Sequence, residues 1–76
     1  MKSLDYKLDT EMLDTNYTYH APKPDQPARY TFIRQTARGL ATLIMATVPV
    51  SHERSVALTK LEEVVMWANA GIARHE

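Results

Sequence analysis

Two arginines and two tyrosines form the group of side chains best suited to binding a ligand. Arg34 and Arg38 are one helical turn apart, and Tyr17 and Tyr19 are expected to lie on the extended segment that leads into their helix. A guanidinium donates paired hydrogen bonds to phosphate oxygens, and a tyrosine ring stacks on a nucleobase, contributing about 1 to 3 kcal/mol. This combination suits a nucleotide. The alternative is that the arginines are solvated and the tyrosines pin an N-terminal arm to the fold.

The other polar residues do not form a catalytic or metal-binding pattern. His20, His52 and His75 lack the spacing of four that aligns two ligands on a helix, and there is no cysteine. No serine lies in a nucleophile elbow, and no glycine-rich phosphate loop is present. Glu62 and Glu63 are adjacent, so on a helix they point about 100° apart instead of converging as acid and base. We therefore expect a binding protein with no catalytic residues, metal or cofactor.

Length and composition restrict the partners of this chain. With 76 residues it is one domain, close to the size at which a single chain buries too little surface, so we expect it to self-associate. The absence of cysteine fits a reducing compartment. Residues 39–50 are uncharged but too few to span a membrane, and the N-terminus lacks the apolar segment of a signal peptide. Nine basic residues balance nine acidic ones, which argues against long nucleic acids as partners.

The elements that must position these residues are helices. Asp25 is expected to cap a first helix with its carboxylate, Pro27 falls in the first turn, and the helix should end near Thr47. Ser51 is expected to cap a second helix that ends near Arg74. Apolar residues at spacings of three and four predict that the two pack as an antiparallel hairpin, giving an all-α fold. These residues are Tyr30, Ile33, Ala37, Leu40 and Ile44 on the first helix, and Leu58, Leu61, Val65, Ala68 and Ile72 on the second.

The chain divides into two parts. Residues 1–18 form an N-terminal arm, with a weak signal for a short helix between Asp9 and Asp14, and residues 19–76 form the hairpin domain. A proline-rich joint, residues 19–27, connects them. Residues that precede proline avoid helical angles, so the joint should be extended.

A second apolar set lies off the hairpin stripe. Two helices cannot bury both sets against each other, and a large exposed apolar patch usually indicates an association surface. We expect a homo-oligomer. Two alternatives are that the arm covers this set within one monomer, or that Phe32, Leu43 and Trp67 bind another protein, making the chain an adaptor or inhibitor. The set consists of Phe32, Leu43, Val64 and Trp67, together with the small Gly39 and Gly71.

Two segments resemble a known family. YHAPKPDQPARYTFIRQTARGLA, which begins at Tyr19, and ALTKLEEVVMWANAGIARHE near the C-terminus resemble small phage proteins that block CBASS immunity by sequestering cyclic oligonucleotide signals. The resemblance covers roughly Tyr19 to His75. It implies a helical hairpin assembled as a homohexamer in the host cytoplasm. It also implies that cGAMP-like cyclic dinucleotides bind between protomers, that cyclic trinucleotides bind near the symmetry axis, and that the ligands are released unaltered.

The resemblance also implies ligand-binding residues. For the cyclic dinucleotide, Tyr19 would stack on a base and Arg34 would bind a phosphate. A lysine is usual in the family at the position of Arg34, and Arg38 is the alternative phosphate-binding residue. For the cyclic trinucleotide, Asn69 and Arg74 are the matching residues. Alternatively, Asn69 makes a polar contact between helices and Arg74 complements the helix C-terminus. Trp67 is assigned to packing. A rival function is an enzyme that cleaves cyclic nucleotides, which the lack of catalytic residues disfavours.

Overall fold

The secondary structure described for this protein consists of α-helices. A computed structural model describes residues 3–76, with side chains described from residue 8 onward, and contains α1 (Ser3–Tyr17), α2 (Gln26–Thr47) and α3 (His52–His75). No strand occurs between residues 3 and 76. α2 and α3 pack against each other, with Gln26 at the start of α2 beside Ile72 at the end of α3. The predicted all-α class and the antiparallel packing of the two long helices are therefore confirmed.

The start of α2 differs from the prediction in the role of the Asp25 side chain. Asp25 makes no side-chain capping hydrogen bond, so the predicted role of its carboxylate is wrong. Instead the carboxylate lies 3.3 Å from Arg29, one turn along the helix. The reason is that Asp25 itself has near-helical angles, φ −91° and ψ −11°, whereas a capping residue needs an extended backbone. Pro27 does lie in the first turn, as predicted.

The turn between α2 and α3 follows the predicted local signals. Val48 is extended, and its backbone N–H donates to the carbonyl oxygen of Ile44 at 2.9 Å, which closes α2 just before Pro49. Ser51 is the N-cap of α3: its hydroxyl accepts from the Arg54 N–H at 3.1 Å. Both ends agree with the predicted boundaries because proline and N-cap serine act within a few residues of themselves.

α1 is longer than the predicted short helix. It runs from Ser3 to Tyr17, so Tyr17 belongs to a helix and not to the extended segment before α2. α1 makes almost no backbone contact with the other two helices. The molecule is 52 Å long, whereas α3 with its 24 residues spans about 36 Å at 1.5 Å per residue, so α1 projects beyond the hairpin.

The described residues of one chain form no fully buried hydrophobic core. No apolar side chain from residue 8 onward is buried, and Gln26 is the one buried residue described, at 2% exposure. The predicted stripe positions are partly buried between α2 and α3, with Leu40 more exposed at 47%. The radius of gyration is 17.0 Å, against about 11 Å for a compact chain of this length. Many large apolar side chains of the hairpin are therefore left exposed to solvent.

The second apolar set is exposed. Phe32 is 71% exposed, Leu43 56%, Val64 59% and Trp67 65%, so α1 does not cover them and Trp67 is not packed within its own chain. At 100° per residue, Phe32 and Leu43 lie on one side of the hairpin, and Arg34 and Arg38 lie on the other. None of the described helices has the length and apolar character needed to cross a membrane.

Candidate functional site

A polar pocket lies where the joint meets the end of α3. Its volume is about 540 Å³, it is open to solvent, and most of its lining is polar. The joint contributes one wall because its prolines keep it out of a helix, and α3 contributes the other because the hairpin returns its last turn to the start of α2. The lining residues are Tyr19, His20, Ala21, Lys23, Gln26, Ala73, Arg74, His75 and Glu76.

Gln26 holds the two walls together. Its side-chain amide nitrogen donates to the Ile72 carbonyl oxygen at 3.4 Å. Its side-chain oxygen accepts from the Lys23 backbone N–H at 2.9 Å and from the Tyr30 hydroxyl at 3.4 Å. The backbone N–H of Gln26 in turn donates to the Lys23 carbonyl at 3.0 Å. One buried amide therefore connects the joint, α2 and α3, which sets the position of the pocket walls.

A carboxylate and a guanidinium form a second connection between the helices. Arg29 donates from both terminal nitrogens to the Glu76 carboxylate, one of these bonds being 2.9 Å, and Lys23 Nζ donates to the Glu76 carbonyl oxygen. The hydrogen bond from Arg29 lowers the pKa of Glu76 below its ordinary value, and the same bond raises the pKa of Arg29. Glu76 is thus the acidic group at one edge of an otherwise cationic pocket.

The pocket combines an exposed aromatic ring with cations. Tyr19 is 84% exposed, so it does not pin the arm to the hairpin and its ring is free to stack. Lys23 and Arg74 supply positive charge, and His20 and His75 supply ring nitrogens. His20 Nε2 lies 2.6 Å from the carbonyl oxygen of Thr15, which ties the joint to the end of α1. Phosphate oxygens and a nucleobase are the ligand groups that such a set binds.

A second cavity follows the face between α2 and α3. Its volume is about 560 Å³ and its lining is mostly apolar. Arg34 and Arg38 stand on its α2 side, and neither forms an ion pair with any residue whose side chain is described. We call it the arginine-flanked groove. Its lining residues are Arg34, Ala37, Arg38, Ala41, Met45, Leu58, Leu61, Glu62, Val65 and Met66.

The structure groups the predicted ligand residues differently from the sequence. Tyr19 shares the polar pocket with Arg74, whereas Arg34 and Arg38 line the arginine-flanked groove. Asn69 lines neither cavity; it is partly buried, and its side-chain oxygen has no hydrogen-bond partner among the described residues. The two assignments of nucleotide-binding residues stay predictions.

Sequence reasoning missed most of the polar pocket. Lys23 and Gln26 were not singled out, and His20 and His75 were considered only as metal ligands. The joint sequence offered one signal. Lys23 lies between two prolines, so it is outside any helix and its long cationic side chain is a candidate for a binding site. The contact with α3 had no local signal. In the part of the chain from residue 8 onward, no three histidine, aspartate or glutamate residues are grouped as a metal site.

The geometry defines a class of protein: a helical hairpin with an open cationic and aromatic pocket, suited to holding a small anion. Residues 10–73 match the family described as Acb2/Tad1, hairpin domain, and the chain belongs to that family. It is an anti-CBASS family whose members sequester their ligands. No curated protein and no solved structure shows significant similarity to the chain.

Proposed function

We propose that this protein is a sponge for cyclic oligonucleotides, which sequesters the second messengers of CBASS immunity in the cytoplasm of a phage-infected host and releases them intact. Its ligands are cGAMP-like cyclic dinucleotides and, at a separate site, cyclic trinucleotides. Membership of the Acb2/Tad1 hairpin-domain family supports this function. The mechanism needs no catalytic residue, because binding alone lowers the free concentration of the signal.

The polar pocket is the observation that carries the proposal. It brings Tyr19, Lys23 and Arg74 to one cavity of about 540 Å³, although Tyr19 and Arg74 are distant in sequence. In this proposal the Tyr19 ring stacks on a base of the cyclic dinucleotide, and Lys23 adds positive charge beside it. Because the pocket is open, a ligand enters without a conformational change in the hairpin. Arg74 serves the trinucleotide at its separate site in this proposal, together with Asn69, whose side-chain oxygen has no hydrogen-bond partner among the described residues.

The dinucleotide site is shared between two protomers. Tyr19 and Arg34 line separate cavities in one chain, which fits a ligand held by Tyr19 from one protomer and by Arg34, supported by Arg38, from another. Self-association is supported by the absence of buried apolar side chains among residues 8–76 and by the exposure of Phe32 and Trp67. We propose a homohexamer, as in the family it resembles.

Calorimetry with chromatography tests the proposal. Purified protein is titrated with a cyclic dinucleotide and with a cyclic trinucleotide, then heated, and the released ligand is identified. We expect saturable heat with both and intact ligand after release. Recovery of linear nucleotide would indicate an enzyme instead.

A protein-binding adaptor is the second candidate. The exposed Phe32, Leu43 and Trp67 side chains favour it, since they would also suit a partner helix. It predicts no heat with any cyclic nucleotide and a chain that stays monomeric until its partner is added. Sedimentation of the purified protein without ligand distinguishes the two, because the sponge is expected to be assembled already.

A further inference from the structure

A carboxylate faces the two arginines across the arginine-flanked groove. Arg34 and Arg38 stand on the α2 side, and Glu62, on α3, is the one acidic residue among the described residues that line it. The antiparallel register is given by Gln26, which contacts Ile72, so each step forward along α2 is level with a step back along α3. Both helices rise by the same amount per residue, which places Glu62 level with a point midway between the two arginines. The opposite charges therefore border the same stretch of the groove.

Glu62 has no partner within its own chain. Among residues 8–76 its carboxylate forms no ion pair and no side-chain hydrogen bond. Its neighbour Glu63 differs, because Lys60 Nζ lies 3.2 Å from the Glu63 carboxylate. A carboxylate is an acceptor with two oxygens, so both oxygens of Glu62 are available to donors on a ligand.

The floor between the charged walls is apolar. The groove has a volume of about 560 Å³, which is within the range of small-ligand pockets. Its lining includes Ala37, Leu61 and Val65, which belong to the stripes on which α2 and α3 face each other and therefore lie between the two walls. A nucleobase is flat, with apolar faces and polar atoms at its edge. It can lie on this floor with its edge toward Glu62 while the phosphate of its nucleotide stays at the arginine wall.

Guanine is the base whose edge matches a carboxylate. Its N1–H and N2–H donors are adjacent and point in the same direction, so the two oxygens of one carboxylate accept from both. Adenine and cytosine present one amino donor beside a ring nitrogen acceptor, and that acceptor has no donor to meet on a carboxylate. A site built to pair with a ligand donor discriminates strongly against an analogue that lacks it. A free carboxylate in a nucleotide groove therefore favours guanine.

We propose that Glu62 makes the arginine-flanked groove selective for guanine: its carboxylate accepts from N1–H and N2–H of the base, while Arg34 and Arg38 bind phosphate of the same cyclic dinucleotide. This rests on the sponge function proposed above and names the base that its dinucleotide site prefers. It leaves Tyr19 of another protomer free to act as proposed, because stacking uses the face of a base and these hydrogen bonds use its edge. The three kinds of side chain therefore bind different parts of one ligand.

Calorimetry with three symmetric dinucleotides tests the preference. Cyclic di-GMP, cyclic di-AMP and cyclic di-IMP are titrated into the wild-type protein, and the hypoxanthine base of the last lacks only the N2 amino group of guanine. We expect cyclic di-GMP to bind most tightly. Loss of one hydrogen bond to a carboxylate should raise the Kd of cyclic di-IMP about 10- to 150-fold. Saturable binding with equal Kd values for these two ligands overturns the guanine preference and leaves the sponge standing, whereas no heat with any cyclic nucleotide overturns both.

Glu62→Gln separates base recognition from charge. Glutamine has one acceptor oxygen in place of two, so this variant should bind cyclic di-GMP about 10- to 150-fold more weakly and should not weaken cyclic di-AMP. Glu63→Gln is the matched control, because it removes the same charge from a carboxylate that lies outside the groove and pairs with Lys60. It should keep the wild-type preference.

The same comparison excludes a purely electrostatic role. If Glu62 only repels phosphate, Glu62→Gln would tighten cyclic di-GMP and cyclic di-AMP by the same factor. That result, or a guanine preference that Glu62→Gln leaves unchanged, overturns the proposal. Circular dichroism of both variants checks that the helices are retained, so a change in Kd reports on the groove.

Discussion

The side-chain amide of Gln26 donates to the carbonyl oxygen of Ile72 at 3.4 Å, joining the first turn of α2 to the last full turn of α3. Gln26 is also the one buried residue in the described part of the chain, at 2% exposure. The polar pocket forms on this connection, because the same side chain accepts the Lys23 N–H of the joint.

Gln26→Ala should therefore destabilise the hairpin. It leaves the Lys23 N–H and the Ile72 carbonyl without this partner, and an unsatisfied buried polar group costs about 1 to 3 kcal/mol. We expect a lower midpoint of urea unfolding at fixed protein concentration. Gln35→Ala is the matched control, since Gln35 is exposed in the same helix and the change should be near neutral. Equal midpoints for the two variants would show that the connection does not stabilise the fold.

Acid should weaken the hairpin end through Glu76. The hydrogen bond from Arg29 lowers the pKa of Glu76 in the folded chain, so this contribution is present above the ordinary pKa of the carboxyl. It is lost as the pH falls through the lowered folded value. Thermal unfolding followed across that acid range should show a smaller loss of stability for Glu76→Gln than for the wild type. An unchanged pH profile in the variant would contradict this role.

Removing the α3 cap should cost stability without altering the pocket. The Ser51 hydroxyl accepts from the Arg54 N–H at 3.1 Å, and replacement of an N-cap serine by alanine costs about 1 kcal/mol. We expect Ser51→Ala to lower the free energy of unfolding by this amount in a denaturant titration. Ser55→Ala, inside the same helix, is the control, because alanine is the better helix former there. The prediction fails if both variants have the wild-type midpoint.

Loss of the Tyr19 ring should weaken nucleotide binding. Stacking on an aromatic ring contributes about 1 to 3 kcal/mol per base, so Tyr19→Ala should raise the Kd about 5- to 150-fold by calorimetry. Tyr19→Phe keeps the ring and should keep most of the affinity. Tyr17→Ala is the comparison at a similarly exposed ring, 83% against 84%, that lies outside the polar pocket. Equal losses for Phe and Ala at position 19 would indicate a hydroxyl contact instead of stacking.

Arg74→Ala should act on the same pocket through charge. Its guanidinium lines the cavity with Lys23, and charge-assisted hydrogen bonds to phosphate contribute about 1.5 to 3 kcal/mol. We expect an increase in Kd that shrinks at high salt, measured by calorimetry at two ionic strengths. Arg54→Ala, at the other end of α3, should leave the Kd unchanged. A wild-type Kd for Arg74→Ala would remove this arginine from the ligand site.

Local signals predicted the long helices well. Pro27, Pro49 and Ser51 act on the few residues around them, so the ends of α2 and α3 could be assigned from the sequence. The capping role of Asp25 failed because its backbone is near-helical, and its carboxylate pairs instead with Arg29 one turn along the helix. The length of α1 was underestimated because its apolar spacing is weak.

The site was less predictable than the helices. Tyr19 was selected from its residue type and position, but its grouping with Arg34 rested on closeness in sequence. The pocket forms at the start of α2, around Gln26. Arg34 lies about 12 Å further along the same helix and does not line the pocket. The division into residues 1–18 and 19–76 stays a prediction.

The sequence by itself determined an all-helical chain with two long helices and more apolar surface than they can bury together. These properties follow from the 3.6-residue period and from capping residues, which act over one or two turns. Only the tertiary structure decided that Tyr19 shares a pocket with Arg74 and that Gln26 connects the joint to α3. Those contacts join residues far apart in the chain, and they depend on how the hairpin returns α3 to the joint, which no local pattern specifies.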